Sequence, residues 1–173
     1  MFEMHKLVVS LAAGLSLLCF GTANAASTNT SFTVQVTVST ECSIAASNLI
    51  FGDPGAFTAN VDSATQISIT CTPSTPYTVS LSRGNQYMWE SFMRRMQSAA
   101  ANQIKYELYT DEARTTIWGE TATAPGGAGL FGEQVSGTGN GSAQTLTVYG
   151  RIPPQTAVPA GLYQDTITAT VEY

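Results

Sequence analysis

The sequence predicts an all-β protein, an antiparallel β-sandwich of about seven short strands. Two observations lead to this prediction. Apolar and polar residues alternate with period two in most segments that have any regular pattern, and glycine, proline or asparagine separates these segments. The chain has 173 residues, the size of a single domain. The predicted strands are Phe32–Val38, Ser43–Phe51, Gln66–Thr72, Tyr77–Leu81, Ile104–Leu108, Leu146–Gly150 and Tyr163–Tyr173.

Residues 1–25 have the pattern of a secretory signal peptide. Lys6 precedes an apolar run from Leu7 to Phe20, and Ala23-Asn24-Ala25 is a cleavage site of small residues. A run of about 14 apolar residues is too short for a membrane span of about 20. A lipoprotein anchor at Cys19 is the alternative, which the bulky Leu18 before it disfavours. We therefore expect residues 26–173 to form an exported, soluble protein.

The composition argues against nucleic acid as a partner. The formal net charge is −5 and only 11% of the residues are charged, whereas nucleic acid selects basic surfaces. A surface rich in threonine, serine and glycine with few charges is more typical of extracellular structural proteins.

Catalysis and metal binding also lack their usual residues. The single histidine, His5, lies in the leader, so the mature chain has no imidazole for nucleophilic catalysis or a zinc site. Lys105 lies on the polar side of a predicted strand, and Asp111-Glu112 follows that strand at a predicted turn. The glycines of residues 126–129 lack the Lys-Ser/Thr of a phosphate loop. We expect no enzymatic activity, no cofactor and no metal.

Cys42 and Cys71 remain after the leader is removed. In an oxidising compartment the expected state is a disulfide, and two free buried thiols are the alternative. A bridge that closes a loop of about 30 residues contributes roughly 3–4 kcal/mol to stability.

Two segments depart from the strand pattern. Met88–Ala101 places Trp89, Phe92, Met93 and Met96 near helical spacing, which predicts a short surface helix or an irregular crossover. Ala122–Ala143 is rich in small residues and is predicted to be loop with at most one short strand.

Several ordered motifs in residues 30–173 resemble the spore coat U domain family. The most specific is the run from Ile104 to Arg114 followed by Trp118-Gly119. The remaining motifs are Cys42, Phe51-Gly52, Cys71 with Pro76-Tyr77, Arg94-Arg95-Met96, Val148–Pro153 with Gln155, and Gly161 with Tyr163, Asp165 and Thr166.

This resemblance implies a pilin of the archaic, Csu-type chaperone–usher pili. Such a subunit is an incomplete immunoglobulin-like sandwich that lacks its last strand and is completed by a donor strand from a neighbouring subunit. The implied organisation is a donor segment at residues 26–39 and a pilin domain at residues 40–173. The implied partners are identical or related pilins, a periplasmic chaperone and an outer-membrane usher. The implied location is a cell-surface pilus, reached through the periplasm, that serves adhesion and biofilm formation.

The alternating segments at the two ends of the mature chain are the candidate donor and acceptor. The sequence ends on an apolar-faced strand, and an unpaired strand of this kind promotes assembly. Alternatively, residues 32–38 form the first strand of their own domain or fold back into their own groove. The candidate donor residues are Phe32, Val34, Val36 and Val38. The candidate acceptor and chaperone-pairing residues are Tyr163, Ile167, Ala169, Val171 and Tyr173.

Two other classes of function fit a small exported sandwich. One is a binding protein, either a tip adhesin or a lectin-like domain. The other is a secreted coat protein that assembles on a spore or cell surface without an usher. A main shaft subunit and a minor subunit are not distinguished by sequence.

Overall fold

A computed structural model describes residues 25–86, 93–120 and 132–173. The chain divides into two compact units, residues 1–36 and residues 37–173. Within the described ranges, no helix has the length and apolarity needed to cross a membrane. All the named strands lie in the second unit: β1 Cys42–Ala46, β2 Val61–Cys71, β3 Pro76–Leu81, β4 Arg94–Gln97, β5 Gln103–Tyr109, β6 Val135–Thr138, β7 Gln144–Ile152 and β8 Ala169–Glu172.

These strands form two sheets with antiparallel ladders throughout. The larger sheet has the order β1-β2-β7-β5-β4 and the smaller has the order β6-β3-β8. Side chains from both sheets meet in one apolar core, so the predicted all-β antiparallel sandwich is confirmed. The fully buried apolar residues are Ile67, Ile69, Cys71, Tyr77, Val79, Leu81, Ile104, Tyr106, Leu108, Trp118, Val148 and Ile152.

Period-two patterning explains how the larger sheet forms. In β2, Ile67, Ile69 and Cys71 are buried while the residues between them are partly exposed. Its partner β7 buries Val148, Gly150 and Ile152 in the same way. Because each strand presents one apolar face, the pair is stable only when that face is covered by the second sheet.

The predicted disulfide is confirmed, and the alternative of two free thiols is wrong. Cys42 and Cys71 face each other in the β1–β2 ladder and are bonded. Next to them, the Thr72 N–H donates to the carbonyl of Glu41 over 2.9 Å. The bridge therefore fixes the beginning of β1, an edge strand with a single hydrogen-bonded neighbour.

Replacing both cysteines by serine is expected to lower the free energy of unfolding by about 3–4 kcal/mol, because the cysteines are 29 positions apart in the sequence. The five-residue β1 should fray first, since it pairs on one side only. Urea titration and amide hydrogen exchange would measure both effects. A loss below about 1 kcal/mol would show that the ladder alone holds β1.

The helix predicted within Met88–Ala101 is wrong where the structure describes it. Arg94–Gln97 is strand β4, paired with β5, and a turn follows at Ser98–Ala101. The reason is non-local: Arg94 is drawn into the interior by the buried carboxylate of Glu107. Residues 88–92 of this prediction lie outside the described residues.

Two other predicted boundaries change, whereas the prediction for residues 122–143 agrees with the structure where it is described. The strand predicted at Ser43–Phe51 ends at Ala46, although Leu49 and Phe51 still pack against the core. Of Tyr163–Tyr173, only Ala169–Glu172 is ladder, with a bridge at Gln164. The predicted loop over residues 122–143 contains one short strand, β6, in its described part, and residues 122–131 lie outside the described residues.

Candidate functional site

One side of the sandwich is closed by hydrogen bonds from residues 117–119. The Trp118 N–H donates to the carbonyl of Leu108 in β5 over 2.9 Å. The Leu81 N–H of β3 donates to the carbonyl of Gly119 over 2.8 Å. A single short segment therefore links the larger sheet to the smaller one on this side.

The opposite side lacks such a hydrogen-bonded link in the part of the chain that the structure describes. β1 and β8 are edge strands of their respective sheets and lie near each other. Among the described residues, no hydrogen bond joins Cys42–Ala46 to Ala169–Glu172. A sandwich closed on one side and open on the other has the geometry expected when one edge strand is missing.

The C-terminal segment uses one edge of its backbone for pairing. The Gln97 N–H donates to the Gln164 carbonyl over 2.8 Å, and the Gln164 N–H returns a bond of 3.1 Å to Gln97. Four residues on, the Thr168 carbonyl accepts from the Ser82 N–H at 2.9 Å. Peptide groups of alternate residues point to the same edge of a strand, so the even-numbered residues of this segment face its paired edge.

The odd-numbered residues consequently direct their peptide groups to the unpaired edge. These residues include Ile167, Ala169 and Val171, whose side chains are half-buried against the core. The residues between them are exposed. Within the described ranges, the segment thus presents main-chain donors and acceptors without a partner beside a row of incompletely covered apolar side chains. An added strand pairs with an edge of this kind.

The structure places the predicted acceptor residues unequally. Tyr163, Ile167, Ala169 and Val171 pack against the core. Tyr173 is 59% exposed and does not belong to the group of residues packed against the core. The Tyr163 hydroxyl donates to the carbonyl of Pro159 over 2.8 Å, which holds this ring near the loop that precedes the segment.

The predicted donor residues form an exposed apolar row. Phe32, Val34, Val36 and Val38 are between 77% and 87% exposed, and residues 25–41 contain no helix or strand. Residues 32–38 form no strand in the structure, whose first strand begins at Cys42. Four large apolar side chains are therefore exposed at spacing two in a segment without a strand.

Sequence reasoning missed the role of Asp165, although it is the one polar residue at an inward position of the terminal segment. Its carboxylate Oδ2 accepts from the Tyr106 hydroxyl over 2.7 Å. Oδ1 accepts from the Asn85 N–H over 2.8 Å. Gly84, at φ +82°, comes so close that a Cβ there would lie 1.9 Å from Oδ2. The break in the alternation at Asp165 was a signal that the sequence offered. The hydrogen bond to Tyr106 could not be predicted, because that residue lies 59 positions away.

Stability is expected to fall above pH 10 because of Tyr106. Burial, and then its hydrogen bond to Asp165, raise the pKa of this phenol above the value of about 10 for an exposed tyrosine. Since the folded pKa is raised, the stabilisation is complete below pH 10 and is lost as the pH rises further. The thermal midpoint of Tyr106→Phe should therefore fall less steeply between pH 10 and 11.5 than that of the parent. Equal slopes would contradict the assignment.

A buried ion pair lies beside residues 117–119, the segment that links the two sheets. Arg94 and Glu107 are 4% and 2% exposed and contact each other directly. Arg94 Nη2 donates to the Trp118 carbonyl over 2.8 Å, and Nε donates to the Ser82 carbonyl over 2.8 Å. One side chain of β4 thus binds both the linking segment and the end of β3. The sequence indicated this residue only as part of the motif Arg94-Arg95-Met96.

Tyr149 and Arg151, which belong to the motif Val148–Pro153 in β7, have structural partners. Arg151 binds Asp62 of β2 through two hydrogen bonds of 2.7 Å, and these hold the pKa of the Asp62 carboxyl below its usual range. The Arg114 guanidinium lies 5.7 Å from the Tyr149 ring centroid. These contacts fasten the outer face of the larger sheet.

The side chain of Gln155 continues the hydrogen-bond ladder between β5 and β7 past the end of β7. Its side-chain amide accepts from the Lys105 N–H and donates to the Lys105 carbonyl, both over 3.0 Å. The amide therefore acts as one further rung of the ladder. Lys105 itself is exposed on the polar side of β5, as predicted.

The sandwich with one open side defines the class of this protein as an immunoglobulin-like, pilus-subunit type of fold that lacks a strand. The chain belongs to the Spore Coat Protein U domain family, whose model matches residues 28–170. This confirms the resemblance found in the sequence motifs.

The chain is similar to two known proteins. The chain is 30% identical over 181 aligned residues, 96% of each chain, to "Protein U" of Myxococcus xanthus. It also resembles a chain in the CsuC–CsuE chaperone–tip adhesion subunit pre-assembly complex from archaic chaperone–usher Csu pili of Acinetobacter baumannii. That match has 26% identity and a TM-score of 0.55, and it covers 79% of this chain and 40% of the other. The present chain therefore spans less than half the length of that solved chain.

Proposed function

We propose that this protein is a structural pilin, a subunit of an archaic chaperone–usher surface pilus that polymerises by donor-strand complementation. The observation that carries the proposal is the presence, on one chain, of an unpaired apolar strand edge and an exposed segment with the matching period. Residues 26–39 of one copy fill the open side of residues 40–173 of the next.

Main-chain pairing supports this docking. Ile167, Ala169 and Val171 direct their peptide groups to the open edge, and an added strand hydrogen-bonds to each of them. The pairing places alternate side chains of the incoming strand toward the core.

Burial of the apolar row provides the driving force. Phe32, Val34, Val36 and Val38 are largely exposed in the subunit. Each buried side chain contributes about 1.5–3 kcal/mol, so four contribute roughly 6–12 kcal/mol before ordering costs. The donor and the acceptor are different surfaces, so the contact is heterologous and repeats into a fibre.

Export and assembly require a periplasmic chaperone and an outer-membrane usher. The signal sequence of residues 1–25 directs the chain to the periplasm. There a chaperone pairs with the segment of Tyr163, Ile167, Ala169, Val171 and Tyr173 until a donor strand replaces it, and an outer-membrane usher exports the fibre. The similarity to a chain of a chaperone–subunit pre-assembly complex supports the proposal that a chaperone binds this protein. The finished pilus lies on the cell surface, where it serves adhesion and biofilm formation without catalysis.

A secreted coat protein is the second candidate, favoured by the 30% identity to Protein U over nearly the whole of both chains. It would use the same open edge but would assemble without an usher. Fibres that still form on cells lacking the usher would select this alternative.

A peptide test addresses the acceptor directly. The full chain carrying Val36→Asp, whose own donor segment is disabled, is heated with and without a synthetic peptide of residues 26–39. Peptide at about 100 times its dissociation constant should stabilise the fold by about 2.7 kcal/mol and raise the thermal midpoint by about 10 °C.

A control peptide carrying Val36→Asp should leave the midpoint unchanged, and one carrying Gln35→Asp should act like the unaltered peptide. If the unaltered peptide has no effect at any concentration, the open side is not an acceptor and the proposal fails.

A further inference from the structure

We propose that Asp165 ends the acceptor groove and thereby fixes the register in which Phe32–Val38 of a second copy docks. This inference rests on the proposed function. It assigns a positioning role to a residue whose place in the fold is set by contacts with Tyr106, Asn85 and Gly84.

The carboxylate of Asp165 is built into the fold rather than exposed by chance. It accepts hydrogen bonds from the Tyr106 hydroxyl, the Asn85 N–H and the Thr166 N–H over 2.7, 2.8 and 2.8 Å. Tyr106 is a core residue at 4% exposure, so its hydroxyl cannot follow a displaced carboxylate. The close approach of Gly84 leaves no room for the carboxylate to turn away.

Asp165 interrupts the apolar face of the acceptor. From it toward the C-terminus, the inward positions are Asp165, Ile167, Ala169, Val171 and Tyr173. An apolar side chain docked against Asp165 would remove water from an anchored carboxylate and offer it no hydrogen bond, which is unfavourable. The apolar part of this face therefore begins at Ile167.

The donor segment has the complementary length. Its four apolar residues are flanked at the same spacing by Thr30 and Thr40. When they face the four positions from Ile167 to Tyr173, a threonine faces Asp165 whichever way the donor runs. A hydroxyl can donate a hydrogen bond to the carboxylate, so this register satisfies both chains.

Shifted registers are penalised in different ways. A slip of one residue turns every apolar side chain outward. A slip of two residues toward the beginning of the acceptor segment places an apolar side chain against Asp165. Asp165 therefore acts as a stop at one end of the groove.

The register is measured in fibres of the full chain by electron cryomicroscopy. We expect one register, with Thr30 or Thr40 facing Asp165. Asp165→Val should shift part of the subunits by two residues. Tyr106→Phe is the matched control: it removes an anchoring hydroxyl, keeps the carboxylate and should retain the original register even if the fold is less stable.

A second pair of variants leaves the acceptor unchanged, in case Asp165→Val does not fold. Thr30→Val and Thr40→Val are substitutions at exposed positions outside the strands. We expect that only the threonine facing Asp165 matters, so one variant lowers the denaturant midpoint of fibre dissociation and the other does not. Unchanged midpoints for both variants would overturn the inference.

The two levels of failure are distinguishable. Fibres in which residues 26–39 occupy no neighbouring groove would refute the proposed function. A donor segment inserted in a neighbour with Phe32, Val34, Val36 or Val38 against Asp165 would refute the register stop alone.

Discussion

Val36→Asp is expected to abolish fibre assembly while leaving the subunit folded. In the subunit this side chain is 87% exposed and belongs to no strand, so an aspartate there costs little. In the groove it would face the core, where an unpaired carboxylate costs several kcal/mol and cancels much of the burial gained by the other three anchors. Electron microscopy of fibres and the thermal midpoint of the subunit measure the two parts of the prediction.

Gln35→Asp is the matched control for Val36→Asp. It introduces the same charge one residue away, on the side of the donor that faces water after docking. Fibres of this variant should form normally. If Val36→Asp also assembles at the parent's yield, Val36 does not enter a groove.

Arg94→Ala is expected to lower the free energy of unfolding by about 3–5 kcal/mol. Glu107 is 2% exposed, and the substitution leaves its buried carboxylate beside an empty space and without its cation. It also removes the donors that satisfy the carbonyls of Ser82 and Trp118. Urea unfolding monitored by tryptophan fluorescence would report the change, because Trp118 lies in the core.

The double variant Arg94→Met, Glu107→Leu separates the charge from the packing. Replacing both members of a buried pair by apolar residues is often neutral or stabilising, so much of the lost stability should return. A loss below about 1 kcal/mol for Arg94→Ala alone would mean that water or another cation replaces the guanidinium.

Local pattern was sufficient to predict most of the sheet structure. Alternating apolar residues identified β2, β3, β5 and β7, because each of these strands buries one face under the other sheet. The disulfide followed from two cysteines in an exported chain. Neither prediction needed knowledge of distant neighbours.

The remaining errors come from interactions that the local sequence does not contain. The local sequence places Arg94 in a predicted surface helix, whereas the structure buries it because it forms an ion pair with Glu107. The half-buried side chains of β8 were predicted by alternation, but the contacts of Asp165 depend on Tyr106 and Gly84. Residues 32–38 have the pattern of a strand but form none. Under the proposed function, they pair as a strand with another molecule.

The position of the disulfide determines how a fibre of such subunits would carry tension. A pull on residues 26–41 reaches the folded domain at Cys42, the first residue of β1. From there the force passes through a covalent bond to Cys71 and enters β2, the long strand paired on both sides. The five paired positions of β1 are thereby protected from being separated one at a time. In a reducing environment the same pull would load this short edge strand directly, so mechanical strength would depend on the oxidation state of one bond.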